Sequence, residues 1–190
     1  MNYNPEIHKR RSIRLKGYDY SGSGAYFVTI CSWNRECLFG DIADGKMQVN
    51  EYGQVVNNFW DLISGHFRDV TLDKFVIMPN HIHGIVAIFY DNCRGEVSSP
   101  ISRMDGLIRK GGETPPLQKH TLGRITAYLK YQSAKQINQI RNTPGFPVWQ
   151  RNYYEHIIRN EGEMNRIREY IINNPAKWIE DENNPANIKS

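Results

Sequence analysis

The run VTLDKFVIMPNHIHGIVAIF, residues 70–89, limits the fold more than any other stretch of this chain. It holds two segments rich in β-branched and apolar residues, 70–78 and 81–89, joined by Pro79-Asn80, a pair that favours a turn. The second segment therefore reads as a strand returning beside the first, and its Ile and Val content supports burial. Side chains two apart share one face of a strand, so His81 and His83 point the same way while Ile82 points into the opposite layer. A preformed edge of two imidazoles can receive a divalent ion, but it does not complete a site. The same spacing also suits ordinary half-buried strand histidines.

The other elements fall around this hairpin. GAYFVTICSW (24–33) reads as a strand, and Asp44-Gly45 within 38–50 signals a second hairpin because that pair accepts positive φ. Val55, Val56, Phe59, Trp60 and Ile63 recur at helical spacing within 51–67. Residues 90–120 are rich in Gly, Ser and Pro without periodicity and read as an insertion. A second helix over 122–141 carries Leu122, Ile125, Leu129, Ile137 and Ile140 on its inner side. TPGFP ends it, 148–159 supplies a further strand, and 161–174 a last helix closed by Pro175. The order strand, helix, strand, strand, helix, strand predicts an α+β, ferredoxin-like antiparallel sheet with helices on one face, plus a C-terminal helix.

At 190 residues, with 39% hydrophobic and 23% charged residues, the chain suits one domain, expected over 10–180 with tails at 1–9 and 181–190. No apolar run approaches the roughly 18 residues a membrane span needs, and the N-terminus lacks the apolar core of a secretory signal. The expected location is the cytoplasm, without a membrane partner. Cys31, Cys37 and Cys93 form no CxxC pair, which suits a reducing compartment. The net charge of +4 is unevenly spread. Lys9, Arg10, Arg11, Arg14 and Lys16 crowd residues 8–16, and 122–160 carries six basic residues, Arg124, Lys130 and Arg151 among them, against the single acid Glu155. Such clusters suit a polyanion, whose phosphates release counterions when neutralised, or simply a solvated face.

The last helix offers a second chemical group. Tyr170 and Asn174 lie one turn apart on one side, while Met164, Ile167 and Ile171 form the stripe for the core. A phenol with an ordinary pKa near ~10 needs a cation or base beside it to act as a nucleophile at neutral pH. A core-margin tyrosine and a helix-terminal asparagine before Pro175 account for the same residues without chemistry.

Three blocks in order, RLKGYDYSGSGAYFVTICSWNRECLFG, FVIMPNHIHGIV and PVWQRNYYEHIIRNEGEMNRIREYIINNPAKW, resemble the REP-associated tyrosine transposases, single-tyrosine members of the HUH class. The resemblance implies that His81 and His83 bind a divalent metal, Mg²⁺ or Mn²⁺, with Asn174 as the third metal-binding side chain and Tyr170 as nucleophile. Asn173 also lies within a turn of Tyr170, so the choice of asparagine rests on the family pattern. The implied activity is cleavage and strand transfer of single-stranded DNA beside a hairpin, through a 5′-phosphotyrosine link. The basic stretches would hold phosphates; Tyr154 reads as a packing or DNA-stacking residue, and His156 as a candidate substrate contact. Relatives in the wider class form dimers, so a homodimer with Tyr170 acting on a partner's metal is one implied arrangement. Two other readings remain open: a hairpin-binding protein without catalysis, and a phosphodiesterase that uses metal-activated water.

Overall fold

A computed structural model describes residues 23–89 and 120–187. The basic stretch at 8–16 and nearly all of the insertion expected at 90–120 lie outside the described residues. Four strands, β1 (Gly24–Cys31), β4 (Val70–Met78), β5 (His81–Ile88) and β6 (Tyr154–Ile158), form one sheet in the order β4-β5-β1-β6. Every neighbouring pair is antiparallel. With helices α1 (Glu51–Asp61) and α3 (Leu122–Ile140) between strands, this is the expected ferredoxin-like topology. A small hairpin of β2 (Gly40–Ala43) and β3 (Lys46–Val49) stands apart. Its turn uses Asp44 and Gly45 at φ 50° and 69°, as the Asp-Gly pair predicts.

Polar side chains start the helices. Asn50 accepts from the backbone N–H groups of Tyr52 and Gly53 at α1, and Thr121 from that of Arg124 at α3. Asn160 accepts from Glu163 N–H at α4 (Glu161–Asn173). Each cap satisfies amide donors that the first helical turn leaves unpaired. The periodicity over 51–67 breaks at Leu62, so α1 is followed by a single separate turn, α2 (Ile63–His66).

Alternation along the strands splits the apolar residues between two faces. Tyr26, Val28 and Ile30 of β1 join Ile82, Val86 and Ile88 of β5 in the main core, with Val56 and Trp60 of α1 and Ile125, Leu129 and Ile137 of α3. On the opposite face Phe27, Ile85 and Ile158 meet Ile171 of α4, flanked by Met164 and Ile167. The helices of the ferredoxin pattern thus share one face, and α4 covers the other. Two sequence expectations shift. Ile140, placed on the inner side by spacing, is the last residue of α3 and is exposed. The strand expected over 148–159 is split: Trp149 forms an isolated bridge with Ser32 and Gln150 N–H donates to the Cys31 carbonyl, but continuous pairing with β1 starts at Tyr154. The Gln150 and Arg151 carbonyls accept from Lys130 Nζ at 2.5 and 2.9 Å.

Gly84 lets α1 lie close to the strand that carries both histidines. A Cβ there would stand 2.2 Å from Trp60 Cη2, whose indole is stacked on Phe75 with centroids 4.3 Å apart. Neither ring can retreat without opening the core. Gly84→Ala is expected to destabilise the fold by about 1–3 kcal/mol, read as a lower midpoint in urea unfolding.

Candidate metal centre and tyrosine site

The register of β1 against β5 builds the face that carries both histidines. Thr29 pairs with His83 and Cys31 with His81, so the imidazoles lie beside a hydroxyl and a thiol rather than in the apolar layer. The outer nitrogen of each ring is held. His81 Nδ1 lies 2.8 Å from Asn80 Oδ1, and Asn80 Nδ2 donates to the carbonyls of Arg35 and Asn183. With its amide group spent as a donor, Asn80 presents oxygen to His81, which fixes the proton on Nδ1 and leaves Nε2 as a lone pair. His83 Nδ1 lies 2.8 Å from Thr29 Oγ1, a hydroxyl able to donate or accept, so His83 can adopt either tautomer. The two Nε2 atoms converge to 3.0 Å. One proton bridges that gap, or a cation can take both lone pairs.

A carboxylate completes the group. His81, His83 and Asp181 place one donor atom each within 4.8 Å of one another. Asp181 Oδ1 accepts from Asn183 N–H at 2.6 Å, while Oδ2 lies 3.9 Å from His81 Nε2. Sequence reasoning treated residues from 181 onward as a tail and missed this residue. The short 3₁₀ turn Pro175–Glu180 carries the chain back over the site, with Trp178 6.1 Å from the His81 ring, and nothing in local spacing announces that return.

Burial pushes both imidazoles down to about 3, reinforced at His81 by Arg35 and at His83 by His81, with Asp181 opposing the shift at His83. The His81–Asp181 approach is therefore not an ion pair near neutral pH. It joins a neutral ring and a carboxylate whose side chain is 4% exposed, an arrangement short of positive charge.

Tyr170 enters from α4. Its hydroxyl is 3.3 Å from His83 Nε2, and its ring meets Phe27 edge to face at 5.9 Å. Burial raises the phenol to about 12, Asp181 adds to the rise, and a hydrogen bond with Asn174 opposes it. One turn on, Asn174 is buried whereas Asn173 is exposed. The Asn174 Oδ1 is buried without a hydrogen-bond partner among the described residues. Asn174 lines the same hollow as Tyr170 and Asp181, and a buried amide oxygen without a protein partner is free to accept from a ligand.

A relative from Haemophilus influenzae, an uncharacterized protein, is 45% identical over 181 residues, covering 95% of this chain and 96% of that protein. The chain belongs to the same family as that protein. No family model matches the sequence. Among solved structures, a REP-associated tyrosine transposase bound to a REP hairpin superposes with a TM-score of 0.52 at 17% identity, over 86% of this chain and 73% of that one. The chain therefore has the fold of the transposases that its sequence resembles. No helix among the described residues is long and apolar enough to cross a membrane.

The structure thus gathers four residues singled out in the sequence, His81, His83, Tyr170 and Asn174, around one face. Tyr154 and His156 stand beside them on β6, paired with Thr29 and Phe27. Arg124 and Lys130 do not join this group: they lie on α3, in the layer across the sheet. Lys130, lowered by burial, spends its ammonium on backbone carbonyls. Arg151 is exposed in the segment that leads into β6.

The histidine shifts have a stability consequence with a definite sign. Unfolded imidazoles take up protons near pH 6.5 that the folded ones refuse until about 3, so stability present above pH 6.5 is lost as the pH falls through that window. Without metal, the urea midpoint is expected to fall between pH 7 and pH 5, and the fall to be smaller in His81→Gln/His83→Gln.

Proposed function

We propose that the chain is a metal-dependent transposase that cuts single-stranded DNA beside a hairpin and joins strands through a covalent tyrosine link. One observation carries this reading: the Tyr170 hydroxyl lies 3.3 Å from the inner nitrogen of a buried histidine pair, within a single chain. Residues fit for a divalent ion surround it. Two neutral imidazoles offer Nε2 lone pairs, Asp181 supplies charge, and the Asn174 oxygen is unpartnered.

His81, His83, Asp181 and Asn174 would hold the ion, Mg²⁺ or Mn²⁺, which when bound supplies a Lewis acid for a non-bridging phosphate oxygen. Thr29 and Asn80 fix the rings so that the donor atoms need no rearrangement. Phe27 packs against the Tyr170 ring and aims its hydroxyl at the histidine edge. In the reaction the phenolic oxygen bonds to phosphorus, the bond from phosphorus to the 3′-oxygen breaks, and the phenol's proton is matched by one taken up at the leaving oxygen. The product is a 5′-phosphotyrosine and a free 3′-hydroxyl. Attack by a 3′-hydroxyl on that ester reverses the step and joins strands without ATP, because the ester conserves the bond. The protonated phenol of the metal-free protein is a poor nucleophile, so DNA cleavage should need the cation.

The test uses the full chain, Mn²⁺ and a pool of labelled hairpin oligonucleotides with randomised single-stranded flanks, resolved on a denaturing gel. A protein-linked band should form, vanish with EDTA, and fall by roughly three orders of magnitude or more in Tyr170→Phe. Cleavage without an adduct that survives in Tyr170→Phe would establish water as the nucleophile instead. Metal binding can be read separately, because Trp178 lies near His81 and Mn²⁺ should quench its fluorescence. Asp181→Asn is expected to weaken that quenching constant roughly tenfold or more, since it removes ligand charge.

A further inference from the structure

A shallow cavity of about 330 Å³ opens beside Tyr170, lined by Phe27, Tyr154, His156, Glu163 and Arg166. Its size lies at the low end for small-ligand clefts, enough for one base. The walls differ in chemistry. On one side Tyr154 is 47% exposed although Phe27 packs against it edge to face at 6.3 Å, so ring surface remains open. On the other, Glu163 Oε1 lies 2.7 Å from His156 Nε2, and Oε2 accepts from Arg159 N–H at 2.8 Å. Those two bonds, the backbone one foremost, hold the Glu163 carboxyl below its usual range. Glu163 is thus ionised at neutral pH, and His156 Nε2 carries the proton it donates. An ionised carboxylate has about four acceptor positions, of which two are engaged here.

We propose that this cavity is a nucleobase subsite for the nucleotide next to the scissile phosphate, with Tyr154 as stacking platform and Glu163 as the residue that favours an amine-bearing base over thymine. The proposal rests on the strand-cleavage reading and adds a specificity to it. A carboxylate accepts from the exocyclic amine of cytosine, adenine or guanine, whereas thymine has no such amine. Arg166, exposed on the same wall, offers its guanidinium to a phosphate. Tyr170 closes one end of the cavity, so a base seated there hangs from a phosphate within reach of the phenol.

Fluorescence anisotropy of labelled dC8, dA8 and dT8 with the full chain, in EDTA and about 0.2 M salt to suppress phosphate contacts elsewhere, tests the subsite. Wild type should bind dC8 and dA8 about tenfold or more tighter than dT8. Glu163→Gln should bring the ratio below about threefold, with Glu163→Asp as a second variant that keeps the charge and part of the preference. Tyr154→Ala should weaken all three oligonucleotides by about tenfold, the scale of one lost stacking contact. Equal binding of the three by wild type, or a preference that survives Glu163→Gln, overturns the subsite and leaves the cleavage reading intact. Binding with preference but no protein-linked DNA in the gel assay would instead overturn the cleavage reading alone.

Discussion

The face that carries His81 and His83 depends on the antiparallel pairing of β1 with β5. That ladder sets Thr29 against His83 and Cys31 against His81, and it runs unbroken from Gly24–Ile88 to Cys31–His81. A slip of one residue would turn both imidazoles into the main core and bring Ile82 out, reversing every side chain on the strand. The register is held from the other face, where Val28, Ile30, Ile82 and Val86 are almost completely buried. The apolar core is therefore what keeps the histidines in place. Gly84 serves the same end: it opposes Val28 and leaves the space that Trp60 fills between strand and helix.

The second constraint is the docking of α4, since the tyrosine must meet a sheet it does not belong to. A small apolar contact, Ile171 with Phe27, Ile85 and Ile158, flanked by Met164 and Ile167, fixes the helix to the sheet. Polar contacts fix its direction. The β4–β5 register shifts between Leu72 and Phe75, and Asp73 lies within that irregularity. Arg168 Nε donates to both carboxylate oxygens of Asp73, at 3.2 and 3.0 Å. In the first turn of the helix, Glu163 joins β6 through His156. The two ties grip α4 from opposite edges of the sheet. Both are partly exposed, so their worth lies in orientation more than in stability.

The parts of this arrangement that follow short periods were legible in the sequence. Alternation put His81 and His83 on one face, and helical spacing put Tyr170 and Asn174 together and away from Ile171. The sheet order followed from the succession of strand and helix signals. What stayed hidden depends on contacts between distant segments. Asp181 reaches the histidines because a 3₁₀ turn folds back over them, and that path is set by Asn80 binding the Asn183 carbonyl across 103 residues. Lys130 looked like one more surface cation, since composition does not show that its ammonium is spent on two carbonyls. Asn174 was separable from Asn173 only through resemblance. Burial of one and exposure of the other gives the physical distinction.

The same geometry revises what the basic composition means. The excess of cations over 122–160 is not a single track beside the site, because α3 packs on the face of the sheet opposite the histidines. Layers stacked on a sheet stand about 10 Å apart, close to a Debye length at physiological salt, so the α3 charges act on Tyr170's surroundings only weakly. Nearer the tyrosine stand Arg35, Arg166 and Lys177, spread over three separate hollows that also hold Glu163, Asp181 and Glu182. Cations interleaved with carboxylates make a poor general trap for polyanions, and they place positive charge at a few fixed points. Among the described residues, then, the surroundings of Tyr170 offer aromatic surface and directed hydrogen-bonding groups more than a continuous track of positive charge.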